Sequence, residues 1–242
     1  MRRYLLWPYQ IYIWPIFVPY ICISTLFWGF WAVVLNVVLG PRRASMICGT
    51  SWARLIGYLT PMFATVKGRE NIEPRDSYVV VSNHQSQYDI ILLYGWIGID
   101  FKWVMKKELR KVPILGYACE KLGHVYIDRS NRSAALASLN EAKQRVRGGT
   151  SVIFFPEGTR SRTGEVGEFK KGAFRMALDL GLPILPVSIS GTKDILPAKG
   201  RLIFPGRVEM TVHAPIDTNI FDKSTLPALI ARTRDTIRSA LP

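Results

Sequence analysis

The residues best suited to chemistry form a short block at positions 83–89, Asn-His-Gln-Ser-Gln-Tyr-Asp. Its histidine, His84, can take a proton from an alcohol near neutral pH. Asp89 follows five positions later, where its carboxylate could bond the other ring nitrogen and stabilise the imidazolium. The spacing predicts a general base with an orienting acid, although an isolated His-x4-Asp pair also arises by chance. No Gly-x-Ser-x-Gly motif marks a nucleophilic serine.

A second set of residues could bind an anion. Residues 155–160, Phe-Pro-Glu-Gly-Thr-Arg, follow an apolar run, and a glycine in such a loop lets backbone N–H groups approach an oxyanion. The arginine that ends this block offers a bidentate fork for phosphate. Further cations stand after predicted strands or at the start of a predicted helix. The candidate cations are Arg160, Arg129, Lys106 and Lys171.

The elements that must position these residues alternate from residue 67 onward. Short β-branched or apolar runs predict strands, and amphipathic stretches between them predict helices. Strands are predicted at 78–82, 101–105, 125–127, 151–155 and 183–190, and a hairpin at 201–204 and 207–212. The pattern indicates an α/β fold with a mostly parallel central sheet flanked by helices. Ligands of such sheets bind outside the carboxyl ends of the strands, where the candidate residues stand.

The N-terminal part differs from the rest in its apolar content. Residues 4–41 contain no charged residue and are rich in aromatic and β-branched types. A membrane-spanning helix needs only about 20 such residues. Residues 42–65 carry apolar residues at helical spacing with arginines among them, which predicts an interfacial helix. We therefore expect an apolar two-helix membrane motif at residues 1–66 and an α/β domain at residues 67–242. The first helix either spans the bilayer or enters it and returns to the same side.

Composition excludes several classes of protein. Apolar residues make up 48% and charged residues 21% of the chain, so a disordered protein is excluded. Three cysteines without a Cys-x-x-Cys motif argue against a zinc or iron–sulfur site. A net charge of +14 indicates an anionic partner: a membrane surface, a phosphorylated substrate, an acidic protein or nucleic acid. No nucleic-acid-binding motif is present in the sequence.

Four blocks, taken in order, resemble those of the glycerolipid acyltransferases. Residues 83–89 resemble the Asn-His-x4-Asp block, and residues 155–160 match the Phe-Pro-Glu-Gly-Thr-Arg block letter for letter. Residues 126–129 resemble the block usually written Phe-Ile-Asp-Arg, with tyrosine in place of phenylalanine, and 184–187 the proline-containing apolar strand. The resemblance covers roughly residues 67–192. Within the family, the sequences Asn-His-Gln-Ser at 83–86 and Phe-Lys-Lys-Gly at 169–172 are most similar to those of the 1-acylglycerol-3-phosphate acyltransferases. The N-terminal apolar segment is similar to the two-helix membrane motif that precedes the catalytic domain of those enzymes.

The resemblance implies a role for each matched residue. His84 would be the general base on the 2-hydroxyl of lysophosphatidic acid, with Asp89 orienting it. The acceptor oxygen would attack an acyl thioester, supplied by acyl-CoA or acyl carrier protein, and a thiol would leave without an acyl-enzyme. The implied acceptor-phosphate ligands are Arg129, Glu157, Gly158, Thr159 and Arg160, with Lys106 and Lys171 as weaker candidates. No metal and no cofactor is implied.

The resemblance also implies phosphatidic acid as product, in phospholipid biosynthesis. We expect membrane lipids as partners, no nucleic acid, and a bacterial inner membrane with the catalytic domain on its cytoplasmic side. Alternatives are an acyltransferase for another lysophospholipid or for glycerol 3-phosphate, a nucleic-acid-binding membrane protein, and a catalytically silent lipid-binding protein. An intact His84–Asp89 pair argues against the silent binder, because binding alone needs no base.

Overall fold

The computed structural model describes residues 7–128, 132–144, 146 and 148–242. Seven strands form its centre: β1 Met62–Lys67, β2 Val79–Ser82, β3 Asp100–Lys106, β4 Val125–Ile127, β5 Thr150–Phe154, β6 Ile184–Ser190 and β7 Gly206–Val212. They lie in one sheet in the order β1-β7-β6-β2-β5-β3-β4. Neighbouring strands run parallel except β6 and β7, which run antiparallel. The predicted mostly parallel sheet is therefore confirmed.

Helices precede the sheet and cover both of its faces. They are α1 Tyr9–Tyr12, α2 Val18–Leu59, α3 Tyr88–Trp96, α4 Leu115–Lys121, α5 Arg132–Lys143, α6 Gly172–Leu180, α7 Thr192–Ile195 and α8 Leu226–Ser239. A π-helical turn, Ile13–Phe17, joins α1 to α2, and a 3-10 turn, Lys107–Lys111, precedes α4. The alternation of strands and helices predicted from the sequence is present.

Each face of the sheet has its own apolar core, because successive side chains of a strand point to opposite faces. In β2, Val80 packs on the face covered by α2 and α3. Its neighbours Val79 and Val81 pack on the face covered by α6 and α8. All three valines are fully buried, as expected for a central strand covered by helices on both faces.

Two local predictions are wrong. The helix predicted to reach residue 65 ends at Leu59, and Met62–Lys67 forms strand β1 along the edge of β7. The predicted hairpin does not form: residues 201–204 are not a strand, and β7 instead pairs with β1 and β6. In both cases a partner distant in sequence supplies the backbone hydrogen bonds that local pattern could not reveal. The division at residue 66 stays a prediction, and strand β1, Met62–Lys67, crosses it.

The two predicted N-terminal helices form one long helix, α2, which is interrupted by one non-helical residue. Gly40 has φ 76° and ψ 167°, a conformation that glycine adopts without steric cost. Trp52 Nε1 donates a hydrogen bond to Thr25 Oγ1 at 3.1 Å. In a straight helix these residues would lie about 40 Å apart, so α2 folds back on itself at Gly40. We call this folded helix the α2 hairpin.

Both the ends and the bend of the α2 hairpin contact the rest of the protein. Before the hairpin, Gln10 of α1 donates a hydrogen bond to the carbonyl of Ile203 at 2.7 Å. After the hairpin, which ends at Leu59, the chain enters strand β1 at Met62. At the bend, Arg42 Nη1 donates to the carbonyl of Gly148 at 2.6 Å and Nη2 to that of Pro74 at 3.3 Å. The hairpin therefore lies along the α/β domain instead of projecting away from it.

Candidate active site

A large cavity lies between the α2 hairpin and the carboxyl ends of the central strands. Its volume is about 1080 Å³. Most of its wall is apolar and comes from α2, α3, β3 and α4, with Trp28, Trp52 and Trp103 among the lining side chains. Its polar end is formed by the loops that follow β2 and β5, which include His84 and Arg160. The cavity therefore joins a mostly apolar space to a cluster of titratable and cationic groups.

The loop after β2 is held to the sheet by the side chain of Asn83. Asn83 Nδ2 donates to the carbonyl of Ile189, and Asn83 Oδ1 accepts from the N–H of Ile189, both at 2.8 Å. This pair of bonds continues the β2–β6 ladder through a side chain after the strand has ended. Ser161 N–H also donates to the carbonyl of His84 at 2.7 Å. Contacts from β6 and from the loop after β5 thus position the backbone that carries His84.

His84 and Asp89 form the predicted pair. His84 Nδ1 lies 2.7 Å from Asp89 Oδ2, and the carboxyl group of Asp89 is fully buried. A carboxylate only accepts hydrogen bonds, so Nδ1 carries the proton and Nε2 is left unprotonated. The His84 side chain remains 15% exposed and lines the cavity. This geometry gives His84 the tautomer that a general base requires.

The Asp89 carboxylate is itself held by three further donors. The backbone N–H groups of Gln85 and Ser86 donate to Oδ2 at 2.7 and 2.8 Å. The hydroxyl of Thr192, at the start of α7, donates to Oδ1 at 2.5 Å. Because Asp89 lies in the first turn of α3, the helix N-terminus also favours its negative charge. Asp89 is therefore fixed in position before any substrate binds.

The face of the His84 ring is fixed by aromatic stacking. The rings of His84 and Phe155 lie 3.9 Å apart, centroid to centroid, with 9° between their planes. Trp103 stacks in turn on Phe155 at 5.6 Å. Phe155 is the first residue of the Phe-Pro-Glu-Gly-Thr-Arg block, so this block contributes to orienting the imidazole as well as to binding.

Glu157 was implied as a phosphate ligand, but its carboxylate is engaged with the backbone. Oε1 accepts the N–H of His84 at 2.8 Å, and Oε2 accepts the N–H of Gly167 at 3.0 Å. Burial raises the pKa of Glu157, and these two N–H groups partly oppose that rise. A carboxylate in this position holds the loops of His84 and Gly167 together, which is a positioning role.

The other implied phosphate ligands divide by position. Gly158, Thr159, Arg160 and Lys106 line the cavity, whereas Lys171 is not among the lining residues described. Its neighbour Lys170 does line the cavity, and a Cβ placed on Gly158 would meet Lys170 Nζ at 2.6 Å. Arg129 lies outside the described residues. Lys170 is thus a candidate phosphate ligand that the sequence analysis did not name, although it belongs to the Lys-Lys-Gly run at residues 170–172 that pointed to Lys171.

Sequence reasoning did not place two further polar residues of the cavity wall at the site. Tyr94 on α3 and the buried His124 both line it, with Tyr94 Oη 2.8 Å from His124 Nε2. His124 Nδ1 accepts a hydrogen bond from the backbone N–H of Trp103 at 3.1 Å, so the ring proton of His124 is on Nε2. Nε2 therefore donates a hydrogen bond to Tyr94 Oη. No local motif pointed to this pair, because its members come from separate elements.

The family is shown by comparison with known proteins. The family model described as acyltransferase matches residues 63–190. A chloroplastic 1-acyl-sn-glycerol-3-phosphate acyltransferase of Brassica napus is 37% identical over 168 residues, which is 68% of this chain and 48% of the relative. The corresponding enzyme of Saccharomyces cerevisiae is 30% identical over 213 residues, or 86% of this chain and 70% of the relative. The chain spans about half the length of the plant and algal relatives that it matches.

A solved structure agrees over nearly the whole chain. The 1-acyl-sn-glycerophosphate acyltransferase PlsC of Thermotoga maritima matches with a TM-score of 0.76 at 28% identity, covering 99% of this chain and 98% of that one. The match therefore includes the α2 hairpin as well as the sheet. Together with the family model and the geometry of the His84–Asp89 pair, it shows that the chain belongs to the acyltransferase family.

Proposed function

We propose that this protein transfers an acyl group from a thioester to the 2-hydroxyl of lysophosphatidic acid and so makes phosphatidic acid. The observation that carries the proposal is the position of the His84–Asp89 pair. It lies where a large apolar cavity meets Arg160, Lys106 and Lys170. An acyl chain suits the apolar part and a phosphate suits the cations. The names of the relatives support the same reaction.

The reaction follows from the tautomer of His84. Nε2 accepts the proton of the acceptor 2-hydroxyl. At the same time the oxygen of that hydroxyl attacks the thioester carbonyl carbon and forms the new C–O bond. The imidazolium that results is stabilised by Asp89 at 2.7 Å. When the tetrahedral intermediate collapses, the C–S bond breaks and the thiolate takes the proton from His84. The donor is a thioester of coenzyme A or of acyl carrier protein, and no group is left on the enzyme.

The acceptor phosphate is expected at the cationic end of the cavity. A phosphate monoester carries close to two negative charges and calls for several cations and N–H donors. Arg160, Lys106 and Lys170 supply the charges, and the loop at Gly158, with φ +75°, brings backbone close to the same place. Arg129 remains a candidate for the same role by its place in the sequence.

We infer that the α2 hairpin attaches the protein to one leaflet of a membrane. The stretch Tyr9–Leu59 is long and apolar enough to cross a bilayer by length and composition. Its bend is nevertheless bonded to the α/β domain through Arg42, so both ends and the bend stay on the side of that domain. Side chains such as Ile23, Phe30 and Val37 are exposed along it. Lysophospholipid is then reached from the bilayer itself, on the cytoplasmic face of a bacterial inner membrane.

Arg160→Ala tests the assignment of the acceptor. It should raise the KM for lysophosphatidic acid roughly tenfold to a hundredfold, because a hydrogen bond to a charged group contributes about 1.5–3 kcal/mol. The KM for the acyl thioester should change little. The assay is release of free thiol with a panel of lysophosphatidic acid, other lysophospholipids and glycerol 3-phosphate, each with acyl-CoA and acyl-carrier-protein donors. Arg160→Lys should rescue poorly, since lysine lacks the fork.

Two outcomes would count against the proposal. Equal effects of Arg160→Ala on both substrates would remove Arg160 from phosphate binding. If the wild-type protein is more active with another acceptor of the panel, that acceptor, and not lysophosphatidic acid, is the substrate. Arg238→Ala, on the exposed side of α8, is the matched control for loss of one positive charge and should leave both KM values unchanged.

A further inference from the structure

We propose that residues 107–121, here called the 107–121 segment, form a second membrane-contacting surface that binds an anionic bilayer beside the α2 hairpin. The segment joins β3 to β4 and consists of the 3-10 turn Lys107–Lys111 and helix α4. The inference rests on the membrane attachment proposed above and adds a second point of contact.

The first observation is a run of exposed apolar side chains. Outside the lining of the cavity, Val112 is 40% exposed, Ile114 is 41% exposed and Tyr117 is 56% exposed. Single exposed apolar residues are ordinary on soluble proteins. Three of them within six positions mark a surface that contacts a partner or a membrane.

The second observation is continuity with the α2 hairpin. Helix α4 packs against α2, and a Cβ placed on Gly29 would lie 3.0 Å from Ile114 Cγ2. On either side of Gly29, the hairpin exposes Phe27 and Phe30, at 52% and 56%. The apolar surface of the segment is therefore adjacent to the apolar surface that we place in the bilayer.

Charge identifies an anionic lipid surface as the occupant. The 107–121 segment contains four basic and two acidic side chains. Lys111 is exposed, and Lys121 Nζ lies 5.3 Å from the centre of the Tyr117 ring. Apolar side chains flanked by lysines and an amphipathic tyrosine are typical of a segment at the level of the lipid headgroups. A protein partner would leave the neighbouring hairpin surface uncovered, whereas a bilayer covers both.

The backbone of Ile114 supplies a third observation. Its φ of 60° lies in the left-handed region, which a β-branched residue rarely adopts. Such strain persists at functional positions held by their surroundings. Here it places Ile114 against Gly29, while Leu115 and Cys119 of the helix α4 that follows line the cavity. The segment is thus the wall between the cavity and the proposed bilayer surface.

Depth-dependent quenching tests this placement. Cys22, Cys48 and Cys119 are first replaced by serine or alanine, and a fluorophore is attached at Tyr117→Cys in full-length protein. Ile23→Cys on the hairpin and Ser239→Cys on α8, which packs on the opposite face of the sheet, are the controls. Vesicles contain phosphatidylcholine with or without phosphatidylglycerol, and their acyl chains carry bromine or a nitroxide.

We expect quenching at positions 117 and 23 and none at position 239, with position 117 quenched more when phosphatidylglycerol is present. Quenching at 23 without quenching at 117 would overturn the second contact and leave the hairpin attachment intact. Absence of quenching at 23 would overturn both contacts.

As an independent measure, the double variant Val112→Glu with Tyr117→Glu should lower activity on acceptor held in a bilayer roughly tenfold, because apolar burial in the bilayer is lost. Its activity on a soluble short-chain acceptor should be unchanged. An equal loss on both acceptors would contradict the proposal.

A different observation carries a second inference: the geometry points to Thr192 as a positioning residue that acts through Asp89. Its hydroxyl donates to Asp89 Oδ1 at 2.5 Å, and Thr192 is fully buried. Oδ2 already accepts hydrogen bonds from His84 and two backbone N–H groups. The bond from Thr192 to Oδ1 therefore fixes the rotation of the carboxylate about the Cβ–Cγ bond of Asp89. That rotation decides how Oδ2 faces the imidazole.

Thr192→Val keeps the shape of the side chain and removes the donor. It should lower kcat roughly tenfold, the size expected for one hydrogen bond to a charged group, with both KM values unchanged. Thr192→Ser should restore kcat. Thr150→Val is the matched control, because Thr150 Oγ1 donates to the buried carboxylate of Asp100 at 2.9 Å outside the cavity. It should lower the Tm and leave kcat unchanged. Equal kcat in Thr192→Val and wild type, or failure of serine to rescue, would overturn the role.

Discussion

Replacement of His84 by alanine is expected to lower kcat by roughly 10²–10⁴-fold, the usual contribution of a general base. Nε2 of His84 is the unprotonated nitrogen at the polar end of the cavity, because Nδ1 donates to Asp89 at 2.7 Å. The KM values for both substrates should change little, since the cations and the apolar wall remain. Release of thiol from the acyl donor measures kcat, and sedimentation with vesicles shows that membrane binding persists.

A matched control separates this effect from loss of a histidine in general. His213 Nε2 lies 2.7 Å from Ser188 Oγ, outside the residues that line the cavity. His213→Ala should lower the Tm and keep kcat close to that of the wild type. A His84→Ala protein that is folded and keeps more than about a tenth of the wild-type kcat would remove His84 from the role of general base.

Replacement of Asp89 by asparagine is expected to lower kcat by roughly 10²–10⁴-fold with little change in either KM. Three donors converge on Oδ2: the ring of His84 and the N–H groups of Gln85 and Ser86. An amide oxygen there can still accept these bonds, but a neutral amide cannot stabilise the imidazolium that forms during the reaction. An amide nitrogen there would instead force the wrong tautomer on His84. The kcat of folded protein is the measurement.

Asp100→Asn is the control for loss of a buried carboxylate. Asp100 pairs with Lys102 at 3.0 Å and accepts from Thr150, at the start of β3 and away from the cavity. This variant should be less stable, because the lysine keeps a buried charge after its partner is neutralised. Its kcat per folded molecule should equal that of the wild type. Wild-type kcat in Asp89→Asn would show that orientation alone, without charge, supports the reaction.

The elements of the fold could be predicted largely from local patterns, but their order in the sheet could not. The β-branched run at 78–82 predicts a buried strand, and β2 is a central strand with fully buried valines. Nothing in the sequence places β2 between β5 and β6, which follow it by some 70 and 100 residues. This order brings the loop after β2 beside the loop after β5, so that Glu157 and Phe155 reach His84.

The sequence by itself predicted the His84–Asp89 pair, because the two residues stand at a strand end and in the first turn of a helix within seven consecutive positions. It also determined the cationic character of the site and the apolar character of the N-terminal helix. Only the tertiary structure decided that Glu157 bonds the backbone, that Lys170 and not Lys171 lines the cavity, and that α2 folds back at Gly40. The physical reason is distance along the chain. Side-chain type and spacing set contacts over a few residues, whereas contacts over tens of residues depend on how strands pair and which helix faces pack together.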